Sequence, residues 1–434
     1  MVRAREMRLK TAGGPAAFGK CGWILATLAL AACGPRAPEG STVLLAARLY
    51  VAPDMAPIDD GALLMREGRI LEAGPRDAVA TRGALRLPQC DGGVVAAGFQ
   101  NSHVHFTQPA YADAATRDAA ELEAALRDML TRFGFTTVVD LASNLANTAA
   151  LRGRIESGEI AGPRILTAGA PLYPRDGIPI YLRDLAPAVL ARMPQPRTVG
   201  EALAALQRNF DGGADATKLF LVTPQGGGAT ASMDAEIATA AVAETHRRGL
   251  PVFAHPTDIE GIELALETGV DTLAHTTIAR GSAVWDDALV AHLVAQDVAL
   301  IPTLMLWRYE LEREPLLAKF VGGATDDGIG QLRTFAAAGG KVVFGTDVGY
   351  MERYDPTEEY GLMARALTAM QILASLTTEP AARWQEGEAR GRIAPGMAAD
   401  LVVLESDPAA DAADFARVRC TIRGGRVIYA TAAR

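Results

Sequence analysis

Two histidines one residue apart, His103 and His105, close the apolar run 94–101. Alternate side chains leave the same face of a strand, so His-x-His at a strand end offers two imidazoles to one metal ion. Two imidazoles leave a tetrahedral ion short of ligands, and more His, Asp, Glu or modified Lys must arrive from elsewhere. Taken alone, the pair describes two half-buried polar side chains equally well. Four further candidates accompany other apolar runs: Lys218, His255, His275 and Asp347. The remaining two of the six histidines, His246 and His292, fall in helical patterns beside charged or polar neighbours and read as solvent-facing.

The elements that must position these side chains are eight β-like runs, at 94–101, 136–141, 164–168, 217–222, 251–254, 272–274, 300–304 and 341–345. Helical stretches separate them, among them 119–133, 199–211, 234–248 and 285–296. Alternation of apolar strands with helices marks a parallel α/β sheet. Eight units over roughly 290 residues predict a (β/α)8 TIM-like barrel, an α/β fold whose catalytic groups gather at the C-terminal ends of the strands. A doubly wound sheet is the alternative, but no Gly-x-Gly-x-x-Gly follows the first strand. Strand-like segments at both ends of the chain, 42–51 and 62–73 early and 400–404 and 421–429 late, predict a small composite β-sandwich domain. The expected organisation is therefore residues 42–95 with 390–434 as the β domain and 96–389 as the barrel.

Together these residues resemble the amidohydrolase superfamily over essentially all of the chain after its first segment. The resemblance rests on His-x-His after strand one, Lys218 on strand four, His255 and His275 on strands five and six, and Asp347 in Phe344-Gly345-Thr346-Asp347. The closing stretch from Gly391 to Leu401 carries it too. Within the superfamily the sequence is most similar to imidazolonepropionase-related members, which include prolidase-like dipeptidases. That resemblance implies an N-carboxylated Lys218 bridging two divalent ions, with His103, His105 and Asp347 on the first and His255 and His275 on the second. Zinc suits such ligands. It also implies hydrolysis of an amide, peptide-like or N-acyl amino-acid, by a metal-activated hydroxide with Asp347 as general acid/base.

An ordinary lysine that pairs with a carboxylate would leave room for one ion only. A cyclic-amide or lactone hydrolase, or a mononuclear deaminase, is a second reading of the scaffold. Deaminases of the superfamily place a Glu shortly after the strand-five His, whereas Glu260 here is off that spacing. A catalytically inactive, lipid-anchored binding protein is a third. For the substrate, the sequence offers a glycine-rich loop at 225–228 that suits a lid, and a Pro- and Arg-rich segment, 171–196, with Tyr173, Arg175 and Tyr181. Arg175, Arg308 and Tyr350 are candidates for a substrate carboxylate, and none is favoured.

The chain begins with Arg3, Arg5, Arg8, Lys10 and Lys20, then a short apolar run ending in Leu30-Ala31-Ala32-Cys33. A basic region, a short apolar region and small residues make a secretory signal, and the last four residues resemble a bacterial lipobox. The expectation is a signal peptide over 1–32, lipidation of Cys33, a tether over 33–41, and a periplasmic or outer-membrane-anchored lipoprotein; Met7 serves equally well as a start. Losing 1–32 removes five basic and one acidic residue and takes the net charge from −9 to −13. Such an acidic surface argues against nucleic acid and against charge-driven binding to anionic lipid. The expected partner is a small-molecule substrate, with membrane contact through the lipid alone. Cys90 and Cys420 remain, and since a chain this long folds without a disulfide, two free core thiols are expected.

Overall fold

Gly98 separates what the sequence presents as one apolar run into two strands that belong to different sheets. In the structure, a computed structural model that describes residues 36–278, 285–313 and 317–432, the chain turns there between Gly93–Ala97 and Phe99–Val104. A β-carbon on Gly98 would stand 2.3 Å from the Thr136 hydroxyl oxygen, so only glycine allows so close a passage. The expected leader over 1–32 and Cys33 lie outside the described residues.

The strands, in chain order, are β1 (Thr42–Leu49), β2 (Ile58–Arg66), β3 (Arg69–Pro75), β4 (Leu85–Arg86), β5 (Gly93–Ala97), β6 (Phe99–Val104), β7 (Phe135–Asp140), β8 (Arg164–Thr167), β9 (Thr217–Phe220), β10 (Val222–Gly226), β11 (Ala229–Ser232), β12 (Val252–His255), β13 (Thr272–Ala274), β14 (Ala299–Ile301), β15 (Leu401–Leu404), β16 (Val418–Arg423) and β17 (Arg426–Ala430). Two parallel ladders, β6-β7-β8 and β14-β13-β12-β9, form most of the barrel. Backbone hydrogen bonds outside regular strands close it. At the first junction, Leu172 pairs with Leu219, and the Asp215 N–H donates to the Thr167 carbonyl at 2.7 Å. At the second, the predicted eighth run makes isolated bridges rather than a continuous ladder. Val343 N–H donates to Leu300 O at 2.9 Å and Ser102 N–H to Phe344 O at 2.8 Å, which places 342–344 between β14 and β6.

Inside the ring, Val139, Leu166, Phe253, Ala274, Ile301 and Val343 form one apolar cluster against which Trp384 packs. A filled interior is what a barrel of this size requires, because inward side chains from neighbouring strands interdigitate. Outside the ring, helices turn one apolar face to the strands. In Val199–Asp211, for example, Ala202, Ala205, Leu206 and Asn209 are buried at helical spacing, and the Thr198 hydroxyl caps its first turn.

Both chain ends contribute to a separate eight-stranded sheet of order β17-β16-β15-β5-β1-β2-β3, with β4 beside β1. Strand alternation gives it two apolar faces: Leu44 and Ala46 of β1 enter one cluster with Val95, Leu401 and Ile422, while Val43 enters another with Leu64 and Val79. The two ends of the strand path come together, since Arg69 bridges Ala398 and Gly425 N–H donates to Ala399 O at 2.9 Å.

Cys90 and Cys420 are joined by a disulfide with a Cα–Cα distance of 5.6 Å, which corrects the expectation of free thiols. Chain size makes a disulfide unnecessary but does not prevent one. The two cysteines face each other inside the apolar cluster of this sheet, a juxtaposition that a separation of 330 residues hides in the sequence.

Candidate metal centre

Each of the six candidates is buried, and each lies on or just past a barrel strand. His103 is in β6 and His105 immediately follows it; Lys218 is in β9, His255 ends β12, His275 follows β13, and Asp347 follows the closing segment. Among the described residues, His103, His275 and Asp347 each present one ligand atom within 4.8 Å of the others. Nε2 of His105 is 2.7 Å from Asp347 Oδ1, and Nε2 of His103 is 3.3 Å from the same oxygen. Nε2 of His275 stands 3.8 Å from Asp347 Oδ2. The ring of His255 lies 4.8 Å from that of His275 and stacks on Phe220. The trio of close ligand atoms thus takes members from both expected ion sites.

The backbone is strained where these groups meet. His275 has φ +89° and Asp347 has φ +60°, left-handed conformations that cost a residue with a β-carbon and persist only when the surroundings enforce them. The enforcement at Asp347 is visible: its N–H donates to the His103 carbonyl at 2.8 Å. Asn101 adds a second tie, its amide donating to Thr346 Oγ1 at 2.8 Å.

The electrostatics favour neutral, ligating forms. Burial, reinforced by the neighbouring Lys218, holds His103 and His255 well below the usual histidine range. Burial does the same to His275, with His255 and then Lys218 adding to it. Burial likewise lowers the Lys218 ammonium to about 7, against the pull of Asp347. Nδ1 of His103 and Nζ of Lys218 are buried without a hydrogen-bond partner. Unpartnered buried polar atoms are costly, and lone pairs converging from neutral imidazoles and a carboxylate fit a bound cation.

Several surrounding residues escaped the sequence reading. Asp140, at the end of β7, accepts from the hydroxyls of Ser143, Thr148 and Thr167 at 2.5, 2.9 and 3.1 Å. Burial raises its carboxyl, while nearby His105 opposes the rise. Its place at a strand end, in Val138-Val139-Asp140, was a usable signal. Thr303, whose Oγ1 is 2.5 Å from His275 Nδ1, and Glu310 had no such marker. Glu310 accepts from the Tyr350 hydroxyl at 2.8 Å, and burial pushes its carboxyl above the usual carboxylate range. The Tyr350 ring meets those of Tyr181 and Tyr309 at 5.8 and 6.4 Å, forming an aromatic wall.

Of the candidates for a substrate carboxylate, Arg308 is held by Glu358 at 2.7 Å and Glu312 at 3.4 Å, and Arg175 is largely exposed beside Asp176. The glycine-rich loop forms the hairpin of β10 and β11, with Gly226, Gly227 and Gly228 all at positive φ. It is tied to the 171–196 segment through Arg183 to Gln225 and through Thr223 Oγ1 to the Gly177 carbonyl at 2.7 Å. His246 and His292 are exposed as expected, paired with Asp271 and Gln296.

Residues 94–428, most of the chain, match the amidohydrolase family. The chain belongs to that family. It is therefore a hydrolase acting on carbon–nitrogen bonds, built on the barrel described above. Among solved structures, this amidohydrolase is similar to a Xaa-Pro dipeptidase with methionine bound in its active site, with TM-score 0.75 and 21% identity over 90% of this chain and 100% of that one. It is similar to a prolidase complexed with N-methylphosphonate-L-proline, with TM-score 0.74 and 23% identity over 90% and 100% of the two chains. It is also similar to ochratoxinase of A. niger, with TM-score 0.74 and 18% identity over 91% and 96%. A stretch of 82 residues is 37% identical to imidazolonepropionase of Sphingopyxis alaskensis and spans 19% of each chain.

Proposed function

We propose that this amidohydrolase holds two divalent ions, zinc being the best match to the ligand types, and hydrolyses a peptide-like or N-acyl amino-acid amide. The ligands would be His103, His105 and Asp347 for one ion, His255 and His275 for the other, and N-carboxylated Lys218 between them. The observation that carries this reading is the state of Lys218: fully buried, unpartnered at Nζ, and lowered to about 7 by burial. A lysine at that value holds much neutral amine near pH 7, the form that adds carbon dioxide. Carboxylation converts a donor with no lone pair into an acceptor.

Bound ions of this kind acidify water and polarise a carbonyl. The chain's own residues do the rest. Asp347, fixed by its backbone bond to His103, takes a proton from the attacking water and returns it to the leaving nitrogen. His275 is oriented by Thr303. Tyr181 and Tyr350 lie near enough to Asp347 to interact with its charge, and with Tyr309 they would limit water on that side of the site. The resemblance to a prolidase and a Xaa-Pro dipeptidase supports a short peptide-like substrate.

The deaminase reading finds less support, because Glu260 is exposed on the helix Ile259–Thr268 and accepts from Ser232 of β11 at 2.7 Å. For location, we propose export with a lipid anchor at Cys33, a reading supported by the leader pattern and by the Cys90–Cys420 disulfide, which belongs in an oxidising compartment.

Metal analysis of the purified chain, followed by a screen of dipeptides and N-acyl amino acids, tests the function. Two equivalents of divalent metal and loss of turnover in His103→Ala and Asp347→Asn are expected. A metal-free chain, or unchanged turnover in His103→Ala, would overturn it. Cleavage of lactones or cyclic amides alone would move the substrate to the second class.

A further inference from the structure

Glu359 is a fully buried carboxylate that the chemistry above does not use. It lies on the helix Thr357–Met363, and its two oxygens accept from the backbone N–H groups of Leu304 and Met305 at 2.9 and 2.8 Å. Those are the first two amides of the helix Leu304–Arg313. The first amides of a helix lack intrahelical partners and ordinarily receive them from the hydroxyl or carboxylate of the preceding residue. The preceding residue here is Thr303, a residue type suited to that task. Its hydroxyl instead points at His275, with Oγ1 2.5 Å from Nδ1.

We infer that Glu359 is a positioning residue that takes over the capping of this helix and so frees the Thr303 hydroxyl to orient His275 as a metal ligand. The inference rests on His275 binding metal, as proposed above. Thr303 is β-branched and sits at φ +42°, a left-handed conformation that such a residue holds only under external enforcement. The two bonds to Glu359 fix the residues directly after it, and Thr276 N–H, at 3.3 Å from Pro302 O, ties the residue before it. In the ligating tautomer Nδ1–H of His275 would donate to Thr303 and leave the lone pair on Nε2, the atom that faces Asp347 Oδ2. Trp307, one turn into the same helix, braces the arrangement by donating its indole N–H to Thr276 Oγ1 at 3.0 Å. Anchoring the helix start therefore anchors both the hydroxyl that sets the tautomer and the indole beside the ring.

Cobalt(II) binding by the full chain tests this, with affinity measured by chelator competition and coordination read from the visible spectrum. Outer partners of a ligating histidine commonly govern metal affinity by about 10–100-fold. Thr303→Val and Glu359→Gln are both expected to weaken cobalt retention by about that factor and to alter the spectrum. Thr303→Ser, which keeps the hydroxyl, is expected to stay close to the parent chain. If Glu359→Gln does not fold, as judged by near-ultraviolet circular dichroism, the Thr303 pair still decides. Parent-like affinity and spectrum in Thr303→Val, or in a folded Glu359→Gln, while His275→Ala loses cobalt, would overturn this inference alone. Parent-like binding in His275→Ala would overturn the assignment of His275 as a ligand, and this inference with it.

Discussion

The α-carbon of Gly349 lies against the carbonyl of His105, so closely that a β-carbon at 349 would stand 1.8 Å from the His105 oxygen. The His105 N–H donates to Val348 O at 2.8 Å, and the Thr107 hydroxyl to Gly349 O at 2.9 Å. The segment carrying Asp347 and the segment carrying the paired histidines are thus in backbone contact, and glycine at φ +99° is what permits it.

Gly349→Ala should push these two segments apart and lengthen the 2.7 Å contact between His105 and Asp347. Misplacing reactive groups by about 1 Å commonly costs on the order of 10²-fold in rate. We expect a loss of that order in kcat/KM, with a stability loss of about 1–3 kcal/mol from the strained backbone. Parent-like turnover together with parent-like metal content would show that the contact is not needed for the site.

Lys218→Met should bind one equivalent of divalent metal in place of two, because the proposed bridging carboxylate is gone. In the parent chain supplied with carbon-13 bicarbonate, a carbamate carbonyl resonance should appear, and it should be missing from Lys218→Met. Two equivalents in the variant would refute the bridging role.

Opening the Cys90–Cys420 link should lower stability by about 2–5 kcal/mol, since the bond closes a very long loop and restricts the unfolded chain. Thermal unfolding of the Cys90→Ala, Cys420→Ala double variant measures it. Reduction should add two titratable thiols to the denatured parent chain and none to the double variant. A parent thiol count that is the same before and after reduction would contradict the pairing.

Glu359 also predicts a pH dependence of stability. Burial raises its carboxyl from 4.5 to about 7, despite two backbone donors, and Glu358 adds to the rise. Between those values the folded chain holds a proton that the unfolded chain has released. The contribution is complete below pH 4.5 and is lost as pH rises through about 7. Its size is on the order of 3 kcal/mol. Subtracting the stability–pH profile of Glu359→Gln from that of the parent should reveal a fall across this window. A flat difference would place the carboxyl at its ordinary value.

The sequence displayed the barrel and its polar strand ends because both follow from local patterns. Alternation put His103 and His105 near the same acceptor, and a polar residue ending an apolar run marked His255 and Asp347. Contacts between distant segments left no such trace. Thr303 meets His275, and Glu359 meets Leu304, through the packing of helices whose relative positions have no spacing rule. The run 94–101 looked like one strand because every residue in it is buried, and only the crowding of Gly98 against Thr136 divides it. Regular strand geometry was expected at 341–345, where the chain bends so that Phe344 N–H reaches Ser375 O while Val343 reaches Leu300 O. The cysteine pair went unrecognised because size bears on whether a disulfide is needed, and proximity decides whether it forms.

The position of β5 has a further consequence, for the order in which the molecule can be completed. This strand lies between β1, made before it, and β15, made some three hundred residues later, and it runs within one residue into the strand that carries His103 and leads to His105. Until residues 401–404 have been synthesised, one edge of an apolar strand stands open. Pairing across so long a stretch is slow to find. A growing chain therefore can pair β5 with β1 early but cannot complete this sheet until its last residues are made.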